Sequence, residues 1–88
     1  MEYIVNVKKK TGKGLRSLPL SVKQAFYLLI RDLQNEGPYQ KGWPHYSPLG
    51  DDRYHCHLTL SYVACWKWYK GTIEIEVYYV GSRESAPY

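Results

Sequence analysis

Apolar and polar residues recur along this chain in patterns that predict one strand, one long helix and then three more strands. Glu2–Val7 alternates and is rich in β-branched and aromatic side chains, which is typical of a strand. A second pattern, with spacings of four, three and four residues, places its members on one stripe of a helix: Val22, Phe26, Leu29 and Leu33. We expect this stripe to pack on the core.

The residues that flank this helix indicate where it begins and ends. Gly37-Pro38 ends it, because glycine favours a C-cap and proline cannot continue a helix. Two positions remain possible for the first residue of this helix. Pro19 suits a first helical turn, whereas Ser21 with Gln24 three residues later offers a capping box.

The basic segment 8–14 contains two glycines and predicts a loop. Its Lys9, Lys10 and Lys13 are candidate phosphate contacts, although a solvated, mobile connection is the commoner role of such a charge run.

The segment 39–52 contains two glycines and two prolines and predicts an irregular loop. His45 and Tyr46 are candidates to reach a ligand from this loop, because loops carry many binding residues.

The last third of the chain predicts a three-stranded meander, Arg53–Thr59, Tyr62–Tyr69 and Thr72–Val80. A two-residue first loop would place His55 on the face of Trp66. A three-residue loop, 59–61, with Lys70-Gly71 closing the second hairpin, separates apolar from polar residues, and we adopt it. One face then carries Tyr54, Cys56, Leu58, Tyr62, Ala64, Trp66, Trp68, Ile73, Ile75, Val77 and Tyr79. The other face carries Arg53, His55, His57, Val63, Cys65, Lys67, Glu74, Glu76 and Tyr78.

This register has three consequences. Lys67 is placed opposite Glu74, which is a favourable cross-strand pair. Cys56 and Cys65 are sent to opposite faces, which argues against a disulfide between them. The helix covers the apolar face, so the polar face is the predicted working surface of a single α+β domain, 1–88, in which one main helix packs on an antiparallel sheet of about four strands.

Composition narrows the class of protein. Lys and Arg exceed Asp and Glu by 12 to 8, and the net charge of +4 favours a polyanionic partner. Two cysteines do not make a disulfide framework, and we expect a reducing cytoplasm. The longest apolar run, Ala25–Ile30, is far below the ~18 residues that suggest a membrane span, so no membrane partner is expected.

Arg53, His55 and His57 form the most informative cluster, because a strand places all three on one face. RNA is cut without metal when its 2′-hydroxyl attacks the adjacent phosphorus, which needs a base, an acid and positive charge near the phosphorus. Imidazoles ~7 Å apart and a guanidinium are the groups that such a reaction uses. Phosphodiester chemistry is therefore the first hypothesis.

A rival hypothesis is a metal site formed by His55, His57 and Cys65, because strand-borne H-x-H pairs occur in zinc sites. No fourth ligand is evident, so we rank this below phosphate contact and expect no cofactor. The segment after the last strand adds Arg83, which can supply charge to a phosphate, and Tyr88, which can supply a stacking ring or a phenolic proton.

The order and spacing of several short motifs resemble the RelE/ParE superfamily of toxins from bacterial type II toxin-antitoxin systems. They are Leu18-Pro19, Gly42-Trp43-Pro44-His45-Tyr46-Ser47, Arg53-Tyr54-His55-Cys56-His57, Tyr62-Val63-Ala64-Cys65-Trp66, Tyr79-Val80-Gly81-Ser82-Arg83-Glu84 and Tyr88. The chain is similar to RelE-like cytotoxic translational repressors over nearly its whole length. The resemblance implies a RelE-like fold, a cognate antitoxin partner, and cleavage of mRNA at the ribosome without a metal.

By this resemblance, His55 and His57 stand where the family often has two lysines, Arg83 matches the arginine after the last strand, and Tyr88 matches the terminal tyrosine. These four are the predicted catalytic residues. Val63 departs from the resemblance, because active members commonly have another arginine there. Two alternatives stay open: Arg53 or Lys67 compensates for the missing arginine, or activity is reduced or absent.

The leading hypothesis is a ribosome-dependent mRNA endonuclease without cofactor. The second is a toxin-fold binding module that pairs only with its antitoxin or, like ParE, targets gyrase. The candidate nucleic-acid contacts are Arg53, Lys67, His45, Tyr46, Lys9, Lys10 and Lys13.

Overall fold

One strand and two helices precede a run of four strands, which is an α+β arrangement. The computed structural model describes residues 2–88, so the predicted domain 1–88 begins one residue outside the described range. The elements are β1 (Ile4–Val7), α1 (Lys9–Leu15), α2 (Leu20–Glu36), β2 (Ser47–Gly50), β3 (Arg53–His57), β4 (Tyr62–Trp68), β5 (Glu74–Ser82) and a 3-10 turn (Arg83–Ser85). The predicted α+β class is confirmed. Within residues 2–88, neither helix has the length and apolar character needed to cross a membrane.

The sheet has five strands in the order β1-β5-β4-β3-β2. β1 lies parallel to β5, with Val5 opposite Ile75, while the other neighbours are antiparallel. The expected four-stranded, antiparallel sheet was therefore wrong in strand count and in the direction of β1. A strand's own pattern does not encode its direction, which here follows from the path of the chain through α1 and α2. β2 lay hidden in the segment 39–52 because Pro48 and Gly50 are poor strand formers, and an edge strand tolerates them.

The basic segment predicted as a mobile loop forms the short helix α1. Thr11 is buried, and its hydroxyl donates a 2.8 Å hydrogen bond to the Tyr78 carbonyl of β5. Gly12 and Gly14 have low helix propensity, and for this reason the sequence predicted a loop. Packing against β5 outweighs that propensity.

The predicted apolar stripe of α2 is confirmed. No more than 2 % of the surface of each member is exposed to solvent: Val22, Phe26, Leu29 and Leu33. The helix begins one residue after Pro19, which occupies the N-cap without a side-chain capping hydrogen bond, so the capping box proposed at Ser21 is not formed. Gly37 ends the helix at φ 91°. A Cβ at this position would lie 2.7 Å from the ring of Tyr3, so glycine is required for two reasons.

The register of the first hairpin is confirmed, with His57 opposite Val63 and Arg53 opposite Lys67. That of the second hairpin was wrong, because Lys67 faces Glu76 instead of Glu74. The turn is longer than Lys70-Gly71 alone, and the Tyr69 N–H closes it by donating to the Glu74 carbonyl at 3.0 Å. A shift of two residues does not exchange the faces, so the side chains of β5 up to Val77 stay on their predicted face.

A β-bulge then reverses the faces in the second half of β5. The register shifts between Cys65 and Trp66, so that Trp66 pairs with Val77 and Cys65 pairs with Tyr79. Tyr78 is the extra residue. Tyr79 therefore lies on the face of Cys65, contrary to our prediction, and Val80 joins the core with 8 % exposure.

Candidate functional site

Three imidazole rings gather on the face of the sheet that α2 does not cover. His55 and His57 lie two residues apart on β3, and His45 reaches the same face from the loop before β2. The ring centres of His45 and His57 are 4.5 Å apart, and those of His55 and His57 are 6.0 Å apart. His45 has φ 54°, a left-handed conformation that is uncommon outside glycine and costs free energy. The loop is thus held in an unfavourable conformation that places this ring against His57.

His55 is more enclosed than we expected from an outward-facing position. Only 9 % of the surface of His55 is exposed to solvent. Its Nδ1 lies 3.1 Å from the Ser47 hydroxyl of β2, and its ring centre is 4.5 Å from that of Tyr88. Trp66 lies on the opposite face, so the cover over His55 comes from β2 and from the segment after β5, not from the apolar core.

His57 is half-buried, and its Nδ1 is buried without a hydrogen-bond partner among residues 2–88. A buried N–H without an acceptor is rare in folded proteins because it is costly, whereas an unpaired acceptor is better tolerated. We therefore assign the lone pair to Nδ1 and the proton of the neutral ring to Nε2.

Burial is the main cause that lowers the pKa of both strand-borne imidazoles below 6.5. Repulsion from His45 lowers both further, and Arg83 also lowers the pKa of His57. Ser47 opposes the shift at His55, and the Leu60 backbone opposes it at His57. The neutral form of each ring, which can accept a proton, is therefore favoured at pH 7 more than in a free imidazole.

The rival metal hypothesis finds no site in this geometry. Cys65 does lie opposite His55, as predicted. Burial raises the pKa of its thiol to about 12, so the thiolate that binds zinc is disfavoured. Within residues 2–88, no three His, Cys, Asp or Glu side chains are placed to hold a metal ion together.

Two exposed guanidinium groups flank the imidazoles. The Arg53 guanidinium lies 5.8 Å from the centre of the Tyr78 ring. The backbone of Arg83 is held by its N–H, which donates to the Ser61 carbonyl at 2.8 Å. Burial raises the pKa of Tyr88, and the charge of Arg83 opposes that shift. Charge is therefore available on two sides of the cluster.

Lys67 and Val63 complete this face. Lys67 is half-buried beside Arg53, with its ammonium 5.5 Å from the centre of the Tyr69 ring. Val63 keeps 0 % of its exposure, so the position where the resemblance implies an arginine lies sealed beneath the surface. The positively charged side chains of this face are those of Arg53, Lys67 and Arg83.

Four predicted contacts lie elsewhere. Tyr46 points to the opposite face, where it stacks on Tyr54 and Trp66 against the core. The other three, which are exposed on α1 beside β5 and not against the imidazoles, are Lys9, Lys10 and Lys13. The structure thus brings together His45, His55, His57, Arg53, Lys67, Arg83 and Tyr88.

The sequence reasoning missed Ser47 and the contact of Tyr78 with Arg53. Ser47 can be placed beside His55 only once β2 is recognised, and its sequence carries no strand signal. The position of Tyr78 depends on the bulge, which the pattern of apolar residues did not reveal.

Solved structures of toxins share this architecture. An archaeal RelE in a RelE-RelB complex from Pyrococcus horikoshii OT3 superposes with a TM-score of 0.76 at 21% identity, over 98% of this chain and 100% of that one. A mutant of the E. coli toxin RelE in the free state gives 0.76 at 18% identity, over 98% and 88% of the two chains. A YoeB/ParE toxin from Agrobacterium tumefaciens gives 0.70 at 13% identity, over 94% and 99%.

The chain has a RelE-like toxin fold, and the resemblance predicted from its sequence motifs is confirmed at the level of fold. No family model matches the sequence, and no curated protein matches it either. The likeness therefore lies in the path of the backbone, and the chemistry of the face has to be argued from this chain's own residues.

Proposed function

We propose that this protein is an endoribonuclease that cuts mRNA on the ribosome without a metal ion. The observation that carries the proposal is the cluster of His45, His55 and His57 between Arg53 and Arg83 on a RelE-like fold. Neutral imidazoles can move protons near pH 7, and guanidinium groups can stabilise charge on a phosphate. This is the set of groups that RNA cleavage through its own 2′-hydroxyl requires.

In the proposed reaction, one strand-borne imidazole takes the proton of the 2′-hydroxyl as the 2′-oxygen bonds to phosphorus. The bond from phosphorus to the 5′-oxygen breaks, and that oxygen takes a proton from the second strand-borne imidazole, which enters the reaction in its protonated form. The products are a 2′,3′-cyclic phosphate and a 5′-hydroxyl. His55 and His57 share the acid and base roles, Arg53 and Arg83 stabilise the charged phosphorane, and Tyr88 stacks on a base or relays a proton beside His55.

The proposed partners are the ribosome, its mRNA and a protein antitoxin, in the cytoplasm where translation takes place. The archaeal RelE that this chain resembles was solved in complex with RelB. The net charge of +4 supports an RNA target and suits an acidic protein partner.

Mapping of transcript ends after mixing the purified protein with translating ribosomes tests this proposal. We expect cuts in the A-site codon from the wild type, and a loss of roughly 100-fold or more in rate from His55→Ala with His57→Ala. Tyr27→Ala, which changes an exposed residue of α2, serves as the control and should cut normally. Absence of cuts by the wild type, or equal cuts by the double variant, would reject the proposed roles.

A second candidate function is a ParE-like binding module that acts on gyrase. The sealed position of Val63 favours it, because the resemblance places an arginine there in active RNA-cutting members. Inhibition of supercoiling without any transcript cleavage would support this candidate. Transcript cleavage without an effect on gyrase would exclude it.

A further inference from the structure

A groove of about 430 Å³ runs between α1 and the segment after β5. Lys8 and Lys10 of the α1 side form one wall, Tyr78 and Tyr79 of β5 form the floor, and Pro87 lies at the edge next to Tyr88. We propose that this groove binds a nucleotide of single-stranded RNA next to the one held at the imidazoles. This inference rests on the proposed function, which it extends from the reacting phosphate to the strand beside it.

The volume and the walls suit a nucleotide. A cavity of this size is within the range of small-ligand sites, about 300–1,000 Å³. Lys8 and Lys10 are exposed and can each reach a phosphate. A tyrosine ring is a stacking surface for any base, and recognition of single-stranded RNA commonly combines such rings with lysines.

The Tyr79 hydroxyl of the floor is already engaged within the protein and is not free to select a particular base. The Tyr79 hydroxyl donates a 2.7 Å hydrogen bond to the Ser82 carbonyl. Burial raises the pKa of Tyr78 to about 12, so its ring stays neutral. Stacking therefore decides binding here more than hydrogen bonding does, and we expect little preference among bases.

The groove is preformed and continuous with the imidazole face. The hydrogen bond from Thr11 to the Tyr78 carbonyl fixes α1 against β5. Tyr88, which follows Pro87, lies over His55, and Arg53 lies against the ring of Tyr78. One strand of RNA can thus pass from the imidazoles to the groove without leaving the protein surface.

The bulge in β5 explains why both tyrosines are available. Tyr78 is the extra residue, and the changed register turns Tyr79 toward the face of Cys65. Without the bulge Tyr79 would pack under α2, as the alternating pattern predicts. The bulge thus aims an aromatic side chain at the groove.

Fluorescence anisotropy with non-cleavable 2′-O-methyl oligouridylates of two and four nucleotides tests the proposal on the whole chain. We expect the four-nucleotide probe to bind at least threefold more tightly than the two-nucleotide probe. For the longer probe, Lys8→Gln with Lys10→Gln should flatten the slope of log K against log salt by about 0.7 per lost phosphate contact. The control pair, Lys23→Gln with Lys70→Gln on α2 and on the β4-β5 turn, should leave the slope unchanged.

Stacking is tested at Tyr79. Tyr79→Leu should weaken the four-nucleotide probe roughly fivefold or more, whereas Tyr79→Phe, which keeps the ring, should bind nearly as well as the wild type. Equal affinity for the two probes, or equal effects of the two lysine pairs, would contradict the proposal that the groove binds RNA. So would the absence of binding by either probe.

The proposed function and the groove fail in different ways. If the probes bind as expected while ribosome-bound mRNA is not cut, the groove stands and the endonuclease proposal falls. If mRNA is cut but the two probes bind with equal affinity, the endonuclease proposal stands and the groove proposal falls. A photoreactive 5-iodouridine placed in the mRNA next to the cut site should cross-link to Tyr78 or Tyr79. If these tyrosines cross-link to ribosomal RNA instead, the groove does not hold the substrate strand.

Discussion

Two imidazole rings in contact repel each other once both are protonated. His45 and His57 are such a pair, with ring centres 4.5 Å apart, and the repulsion from His45 is the second cause, after burial, that lowers the pKa of His57. The loop before β2 thus acts on the chemistry of β3. A histidine that the sequence offered only as a ligand contact becomes a residue that tunes its neighbour.

Replacing His45 by Asn should raise the pKa of His57, because it removes this repulsion. Asn tolerates the left-handed conformation of His45, so the loop should keep its shape. NMR titration of the imidazole rings measures the change. Asp51→Asn, at a second left-handed position, is the control and should shift the His57 pKa less. A His57 pKa that does not move in His45→Asn would show that the ring contact has no electrostatic effect.

The same shifts predict how stability depends on pH. The pKa values of His55 and His57 are lower in the folded state than the ordinary value near 6.5 of the unfolded chain. As the pH falls below 6.5, the unfolded chain therefore binds more protons at these rings than the folded chain does. Stability from these rings is present above that pH and is lost as the pH falls through the lower, folded values.

Urea unfolding at pH 7.5 and 5.5 should therefore show a lower midpoint at pH 5.5. The difference should shrink in a variant with His55→Gln and His57→Gln, because these side chains do not titrate. A midpoint that is unchanged or higher at pH 5.5 in the wild type would contradict the burial of the imidazoles.

Residue placement could be predicted where the strand period decides it. Arg53, His55 and His57 share a face because side chains alternate along a strand, and Cys56 and Cys65 are free and separate for the same reason. The contact between His45 and His57 could not be predicted, because it depends on a left-handed loop conformation that no local pattern indicates.

At the scale of elements, strongly periodic segments were predictable and short ones were not. The stripe of α2 and the β3-β4 register follow from repeated apolar spacing. In α1 two glycines oppose helix formation, and in β2 Pro48 and Gly50 oppose a strand, so contacts distant in sequence decide both. The bulge at Tyr78 is indicated neither by repeated apolar spacing nor by glycine or proline, and it places Tyr79 on the face opposite to the predicted one.

The C-terminal end of α2 offers a direct test of one predicted element boundary. Gly37→Ala should lower the free energy of unfolding by about 1–3 kcal/mol, since alanine is strained at φ 91°. Contact of its Cβ with the ring of Tyr3 adds to the cost. Chemical denaturation measures the loss.

Gly42→Ala is the matched control, because a Cβ at Gly42 meets nothing within 4 Å. It should change stability by less than about 0.5 kcal/mol. Equal effects of the two substitutions would contradict the C-cap geometry at Gly37.

At the scale of the whole molecule, the fold gathers the candidate site from four separate parts of the chain, of which β4 supplies Lys67. β3 supplies two imidazoles and Arg53, the loop before β2 supplies His45, and the segment after β5 supplies Arg83 and Tyr88. A sheet in the order β1-β5-β4-β3-β2 makes this meeting possible. Motif order predicted the fold even at 18–21% identity to solved toxins.

The chemistry of the cut ends tests the central claim most directly. We expect mRNA fragments from wild-type protein and translating ribosomes to carry a 2′,3′-cyclic phosphate and a 5′-hydroxyl, as attack by the 2′-hydroxyl requires. A transcript with a 2′-deoxynucleotide at the cut site should resist. Fragments with 3′-hydroxyl and 5′-phosphate ends, or cleavage at the deoxy position, would contradict catalysis by the imidazole cluster through the RNA's own hydroxyl.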